Sequence, residues 1–454
     1  MIPEQFLERM HRLLGSDEYN RFVEALSKPP VRAFRVNTKK TDAAHLLPLL
    51  PFATKPLDFI PNAFYATEDK VGALPFHHAG MLYMQDPSAI SAIAAVSITP
   101  GARVIDLCAA PGGKSTQLAA AIGENGVLIS NEYVTTRCRI LQGNVERMGV
   151  SNTVVTNLAT DALADFYGDC FDLVVADAPC SGEGMLRKYE VAGEEWSEEN
   201  VALCAVRQRD ILNNAAKLVT PGGQLLYSTC TFSLEENEQN VSWFLDTHPD
   251  FTLIPVNPAV AAITADGISV GGRDLTLCRR FYPHKADGEG QFLALMTRSE
   301  GGTPRKSLKT NAQPLSRAEQ ALLSDFLADT LHDMPNGKVF RLRDNVFLAP
   351  DIPLPPSGVF AAGVCVGTLA KNRIEPHHQL FSALGKHFCR KLHLTATDPR
   401  VEKYLRGEEI DCPELQNEKN GYVCVLFEGA PLGGGKCVSG KLKNHYPKGL
   451  RNKN

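Results

Sequence analysis

No run of apolar residues in this 454-residue chain approaches the roughly 18 that cross a membrane. The longest, Ala89 to Ile98, is short and rich in Ala and Ser. The N-terminus, MIPEQFLERMHRLLG, places Glu4, Glu8 and Arg9 where a signal peptide needs an apolar core, so the expected location is cytoplasmic. None of the 12 cysteines stands in a C-x-x-C pair, which argues against a zinc ribbon or a thioredoxin motif. In a reducing compartment most are free thiols acting as small hydrophobes. The net charge is only -4, so any nucleic-acid contact must come from local basic patches. Two nucleotide-binding signatures are also missing. There is no G-x-G-x-x-G, and a Walker A loop ending at Gly113-Lys114-Ser115 would need Gly at position 108, which is Cys.

What is present is an ordinary globular balance, 44% hydrophobic and 22% charged, in a chain long enough for about three domains. Residues 1–95 read as a small mixed α/β domain. Phe6, Met10, Leu13 and Leu14 recur at helical spacing, and Arg32, Phe34, Val36 and Thr38 alternate as in a strand. Over 96–300, strands alternate with helices, which implies a doubly wound, mainly parallel sheet. Its strands are expected at 103–107, 127–131, 154–156, 172–177, 224–228 and 292–296, and its longest helix at 198–219, stopped by Pro221-Gly222-Gly223. Residues 301–313 have linker composition, 314–375 read as an intermediate domain, and 376–454 as a C-terminal module. From Gly429 onward that module has six Lys or Arg and no acid.

The sequence DLCAAPGGKST, Asp106 to Thr116, follows a buried strand and opens a helix. Pro111, Gly112 and Gly113 make a loop whose backbone a ligand can approach closely. Glu132 ends the next strand, where a carboxylate can accept from a ribose diol; Asp161 follows the third strand and Asp177 ends the fourth. Ligands bind outside the carboxyl ends of such strands, so these groups converge on one cleft. A loop without a pyrophosphate cradle beside a diol-binding acid suits S-adenosylmethionine.

Cys180, in DAPCSGEG, and Cys230, in STCT, also fall at strand ends, the open polar setting that a reactive thiol needs. A thiolate adding to C6 of a pyrimidine turns the C5–C6 double bond into an enamine, and C5 then attacks a methyl group. Asp177 stands where an acid near N3 would stabilise the developing charge. Spacing leaves open which thiol attacks. Cys138 and Cys204 read as packing residues, and Cys108 as acting through its backbone.

Together, DLCAAPGGKST, DAPCSGEG and YSTCTFSLEENEQNV resemble the Nol/Nop/Sun family of RNA 5-methylcytosine methyltransferases over roughly residues 1–300. The resemblance implies a Rossmann-like methyltransferase domain with Cys230 as nucleophile and Cys180 as the helper in product release. It implies an S-adenosyl-L-methionine site formed by Cys108, Ala109, Ala110, Pro111, Gly112, Gly113 and Lys114 with Glu132, Asp161 and Asp177. Gln291-Phe292 stands where the family commonly has Phe-Phe. The ending GAPLGGGKCVSGKLKNHYPKGLR resembles the bacterial RsmF/YebU type, which implies a C-terminal PUA-like RNA-binding domain and 16S ribosomal RNA, free or in the small subunit, as substrate. Gly434 replaces the aromatic residue often found there.

For RNA contact the candidates are Arg32, Arg35, Lys188, Lys436, Lys441 and Lys443, with Arg279, Arg280 and Lys285 as further basic positions. His77-His78 and His377-His378 lack a third ligand and read as surface or packing residues, so no metal is expected. The chain is expected to act as a monomer. Two alternatives stay open: a DNA cytosine methyltransferase using Cys180, and a non-catalytic RNA-binding or ribosome-assembly factor on the same fold.

Overall fold

The computed structural model describes residues 2–68, 70–301, 310, 312–333 and 337–452. Of the linker expected over 301–313, positions 302–309 and 311 lie outside the described residues. The first helix, Glu4–Ser27, breaks at Gly15, where φ is 70°, and buries Phe6, Met10, Phe22, Ala25 and Leu26. It leads into a four-stranded antiparallel sheet ordered Thr54–Pro56, Ala63–Ala66, Ala33–Val36, Leu82–Met84. Ala33–Val36 has a partner on each side and is buried at all four positions. The alternation there therefore does not separate a wet face from a dry one, and Arg35 points into protein.

The main sheet has ten strands. Five run parallel in the order Val219–Thr229, Phe171–Asp177, Arg103–Asp106, Val127–Asn131, Thr153–Thr156. Their Val, Leu and Ile side chains are buried on both faces, as a parallel sheet between helices requires. Gln291–Arg298 joins antiparallel beside Val219–Thr229. The long helix spans Glu198–Leu218, with the Ser197 hydroxyl accepting from Asn200 N–H at its start. The following strand begins at Val219, earlier than expected. Phe171 faces Val219 while Leu173 already faces Gln224, so Pro221-Gly222-Gly223 bulges out inside the strand, with Gly222 at φ 76°.

The region 314–375 does not stand apart from this sheet. Its segment Val359–Ala362 pairs antiparallel with Thr153–Thr156, and Gly363 N–H donates to Thr153 O at 2.8 Å. The reason is physical: an open sheet edge exposes unpaired backbone groups and is best covered. The rest of that region makes a four-stranded sheet, Lys338–Leu342, Asn345–Ala349, Val364–Ala370 and Arg373–Pro376. A five-stranded sheet of Lys391–Leu394, Gly421–Phe427, Ala430–Val438, Lys441–Asn444 and Ile410–Asp411 ends the chain.

Buried polar groups fasten these parts together. Lys40 Nζ donates to Ala79 O at 2.7 Å, Arg147 O at 3.0 Å and Pro431 O at 3.0 Å, one carbonyl each from the N-terminal, central and C-terminal regions. His78 bonds Tyr446 Oη at 2.8 Å and Asn452 Oδ1 at 3.0 Å, and His378 packs edge-on to Tyr446. Burial pushes both His77 and His378 down to about 3, so these rings are neutral packing groups. Among the described residues no helix is long and apolar enough to cross a membrane, and no cluster of three His, Cys, Asp or Glu is placed to hold a metal ion.

Arg280, considered above as an RNA contact, is instead buried. Its Nε donates to Glu238 Oε1 at 2.6 Å, its Nη2 to the other oxygen, and its Nη1 to Phe232 O at 2.8 Å. The pair ties the antiparallel extension of the sheet to the segment that follows Cys230. Removing one partner of a buried ion pair strands the other charge. Arg280→Met is therefore expected to cost about 3–5 kcal/mol of stability, measured by urea unfolding.

Candidate active site

The register Asp177↔Ser228 brings two adjacent parallel strands to their carboxyl ends together. Cys180 and Cys230 leave those ends in loops that face each other, and their sulfurs lie 3.2 Å apart. Both thiols are only partly covered. The hydrogen bond to Cys230, and then burial, raise the Cys180 thiol well above its ordinary value, so Cys180 keeps its proton.

Two buried glutamates hold the loops. Glu236 accepts from Ser181 N–H at 3.0 Å, from Ser181 Oγ, and from Gln208 Nε2 at 2.7 Å. Glu183 accepts from Thr231 Oγ1 at 2.8 Å, Phe232 N–H at 2.9 Å and Trp196 Nε1 at 3.0 Å. Each acid reaches across, from one cysteine's loop to the segment carrying the other. Gly184 N–H donates to Cys230 O at 2.8 Å, and a Cβ on Gly184 would meet that oxygen at 2.9 Å, so only glycine allows this approach. Burial raises both glutamates above the usual carboxylate range. Sequence reasoning quoted the motifs containing them but assigned them no role. Their signal is an acid in a run that must pass beneath two thiols.

Beside the thiols, Lys114 Nζ donates to Asp177 Oδ2 at 2.8 Å. Asp177 Oδ1 accepts from Ser228 Oγ at 2.7 Å and from Gln291 Nε2 at 3.2 Å. Asp177 thus already serves three donors, and the proton-bearing member of the pair is Lys114. Burial works against the Lys114 ammonium, but the charge and hydrogen bond of Asp177 outweigh it and hold Lys114 above its ordinary value.

The loop Cys108–Lys114 turns between strand and helix with a cis Ala110–Pro111 bond and Gly112 at φ 116°, a left-handed conformation that suits glycine. Arg137 donates to Ala110 O at 3.0 Å and Asn144 to Pro111 O at 2.9 Å. Arg35 grips the far side through Gly113 O at 2.7 Å, Thr116 Oγ1 at 2.9 Å and Gln85 Oε1 at 2.8 Å. With 7% of its surface exposed, Arg35 braces this loop and has no face to offer a phosphate. That corrects the RNA contact expected for it. Asp106 is fully buried, with Oδ2 bonded to Ser115 and Oδ1 without a partner. Glu132 gives one oxygen to Val134 N–H and keeps Oε2 without a hydrogen bond, Arg137 standing 3.6 Å away. Two buried carboxyl oxygens without a hydrogen bond thus flank the loop. They fit a ligand rich in hydroxyl and ammonium donors, as a nucleoside carrying an amino acid is.

The structure thus brings together Cys180, Cys230, Asp177, Lys114 and the loop, with Glu132 at its rim. Asp161 lies in the first turn of the helix Thr160–Tyr167, exposed. Cys138 and Cys204 are buried. Arg32 and Lys188 are exposed, with Lys188 over the Tyr189 ring. Lys436 and Lys443 face each other across two strands, with Lys441 two pairs further on, and all three are exposed. Gly434 allows no aromatic residue: a Cβ there would lie 2.1 Å from the Phe381 ring.

The description "16S rRNA methyltransferase RsmB/F" matches residues 93–297, "N-terminal domain of 16S rRNA methyltransferase RsmF" residues 2–87, and "Methyltransferase RsmF PUA domain" residues 391–452. The ribosomal RNA small subunit methyltransferase F of Vibrio vulnificus is 32% identical across 100% of this chain and 98% of its own. That of Erwinia tasmaniensis is 30% identical across 99% and 96%. Among solved structures, a methyltransferase homolog protein from Pyrococcus horikoshii is 27% identical with a TM-score of 0.56, covering 65% of this chain and 100% of that one. NSun6 from the same organism, solved with SFG, shares the fold at 21% identity and a TM-score of 0.57, covering 66% and 99%.

The buried acid of the loop gives a pH test. Burial raises Asp106 to about 7 from an ordinary 3.8. Below pH 4 the carboxyl is protonated whether the chain is folded or not. Between about pH 4 and 7 the unfolded chain loses that proton while the folded one keeps it, so stability falls as pH rises through this window and levels off above it. Urea unfolding of Asp106→Asn is expected to lack this fall, which amounts to roughly 4 kcal/mol across the window.

Proposed function

The chain belongs to the RsmB/F family of 16S rRNA methyltransferases, and from that membership we propose that it methylates C5 of cytosine in small-subunit ribosomal RNA through a covalent adduct on Cys230. The observation that carries the proposal is the pair of thiols 3.2 Å apart beside the Lys114–Asp177 pair. RNA binding alone requires neither. S-adenosyl-L-methionine, held by Cys108 to Lys114 with Glu132 and Asp161, supplies an electrophilic methyl group when bound.

The pair Asp177 and Lys114 sets an acceptor next to a donor. The pairing edge of cytosine offers the reverse, a 4-amino donor next to the N3 acceptor. Asp177 accepting from the 4-amino group and Lys114 donating to N3 would hold that base, whereas uracil presents the wrong order. The Cys230 thiolate then forms its bond to C6, the C5–C6 π pair shifts toward N3, and Lys114 stabilises the charge arriving there. The role expected of Asp177 as the acid at N3 passes to Lys114, since Asp177 is engaged as an acceptor. On release the S–C6 bond breaks, Cys180 protonates the departing sulfur of Cys230, and the proton lost from C5 restores the Cys180 thiol. A Cys180 that keeps its proton suits this part better than attack.

RNA enters by flipping or as a single strand. Lys188 near the cleft, Arg32, and the Lys436, Lys441 and Lys443 face of the C-terminal module are proposed as phosphate contacts. Cys230→Ala is expected to abolish methyl transfer while cofactor binding, followed by calorimetry, survives. Cys180→Ala is expected to accumulate a protein–RNA adduct that persists on a denaturing gel. Full activity of the first variant would overturn the assignment of the nucleophile, and absence of the adduct in the second would overturn the release role.

A further inference from the structure

We infer that Gln291 is a positioning residue that aims Asp177 at the 4-amino group of the target cytosine; the inference rests on the cytosine reading above. Gln291 begins the strand Gln291–Arg298, one position before Phe292, whose partner Thr229 ends the neighbouring strand just ahead of Cys230. It is buried. A polar side chain there is costly unless it is bonded, and its Nε2 donates to Asp177 Oδ1 at 3.2 Å. Ser228 Oγ bonds the same oxygen at 2.7 Å, and Lys114 takes the other at 2.8 Å.

Three elements thus fix one carboxylate: the helix carrying Lys114, the strand carrying Ser228, and the strand opened by Gln291. With Lys114 alone the carboxylate could still turn about its final bond. With Ser228 and Gln291 both on Oδ1, that oxygen is held in a single direction. The backbone before Gln291 leaves it no freedom to withdraw. A Cβ on Gly290 would meet the Phe232 ring at 2.4 Å, and one on Gly184 would meet Gly290 Cα at 3.0 Å. The groups that feel the charge of Asp177 are Lys114, Asp106 and Cys108. Among the described residues Ser228 and Gln291 are the side chains that donate to Oδ1, so an apolar residue at 291 leaves Ser228 alone to steer that oxygen.

The test compares two substrates that differ only at the proposed contact. The target position is first mapped with wild-type protein. Synthetic small-subunit rRNA fragments are then made with cytosine or 2-pyrimidinone there, the second lacking the 4-amino group. Single-turnover methylation is measured for wild type, Gln291→Met and Gln291→Glu, with S-adenosylhomocysteine binding as the control for the fold. Gln291→Met is expected to slow the cytosine substrate about 5–10-fold and the 2-pyrimidinone substrate less than about 2-fold, because only the first uses the contact. Gln291→Glu, which sets a second carboxylate against Asp177, is expected to widen that difference. Equal losses on the two substrates, or no loss on cytosine, would overturn the inference. Should Gln291→Met fail to bind S-adenosylhomocysteine, the near-isosteric Gln291→Glu carries the comparison. If wild-type protein forms no 5-methylcytidine, the proposed function fails instead, before either variant is read.

Discussion

Two buried carboxylates, Glu183 and Glu236, keep two thiols from different loops within contact of each other. Glu183 accepts three hydrogen bonds and Glu236 four, and each spans the segments that carry Cys180 and Cys230. Parallel strands alone bring those loops to the same edge of the sheet but do not set a sulfur–sulfur distance. The acids do so at the expense of desolvation, which is visible in their raised titration. A buried acid with a full set of donors is rigid, and rigidity is what a two-thiol mechanism needs.

The same logic extends outward from the site. Arg35 braces the cofactor loop from the N-terminal domain, and Lys40 gathers carbonyls from the N-terminal, central and C-terminal regions. Basic residues that could serve RNA in another setting are used here as internal fasteners. The basic residues proposed to meet RNA are exposed instead: Lys188, Arg32 and the lysine face of the last sheet.

Much of the catalytic domain was legible in the sequence. Hydrophobic strands leading to Asp106, Glu132 and Asp177, with glycine-containing loops after the first and last, dictate a parallel sheet and its functional edge. The two cysteine motifs were equally plain, because a thiol at a strand end has few bland explanations. What was not legible depended on long-range pairing. Nothing local distinguishes Arg35 or Arg280 from a surface arginine; each is buried by partners far along the chain. The strand Val359–Ala362 read as part of a separate domain because its partner, Thr153–Thr156, lies some 200 residues earlier. Gln291 stood out only as a departure from the family's usual Phe, and its partner appears only in three dimensions.

The reaction proposed for this site is the formation of 5-methylcytidine in small-subunit ribosomal RNA. The direct measurement incubates the protein with unmodified 16S RNA, free and assembled into subunits, and S-adenosyl-L-methionine labelled in its methyl group. The RNA is then digested to nucleosides for mass spectrometry. Label is expected in 5-methylcytidine and in no other nucleoside. Label in a different nucleoside, or none while the protein still binds the cofactor, would contradict it.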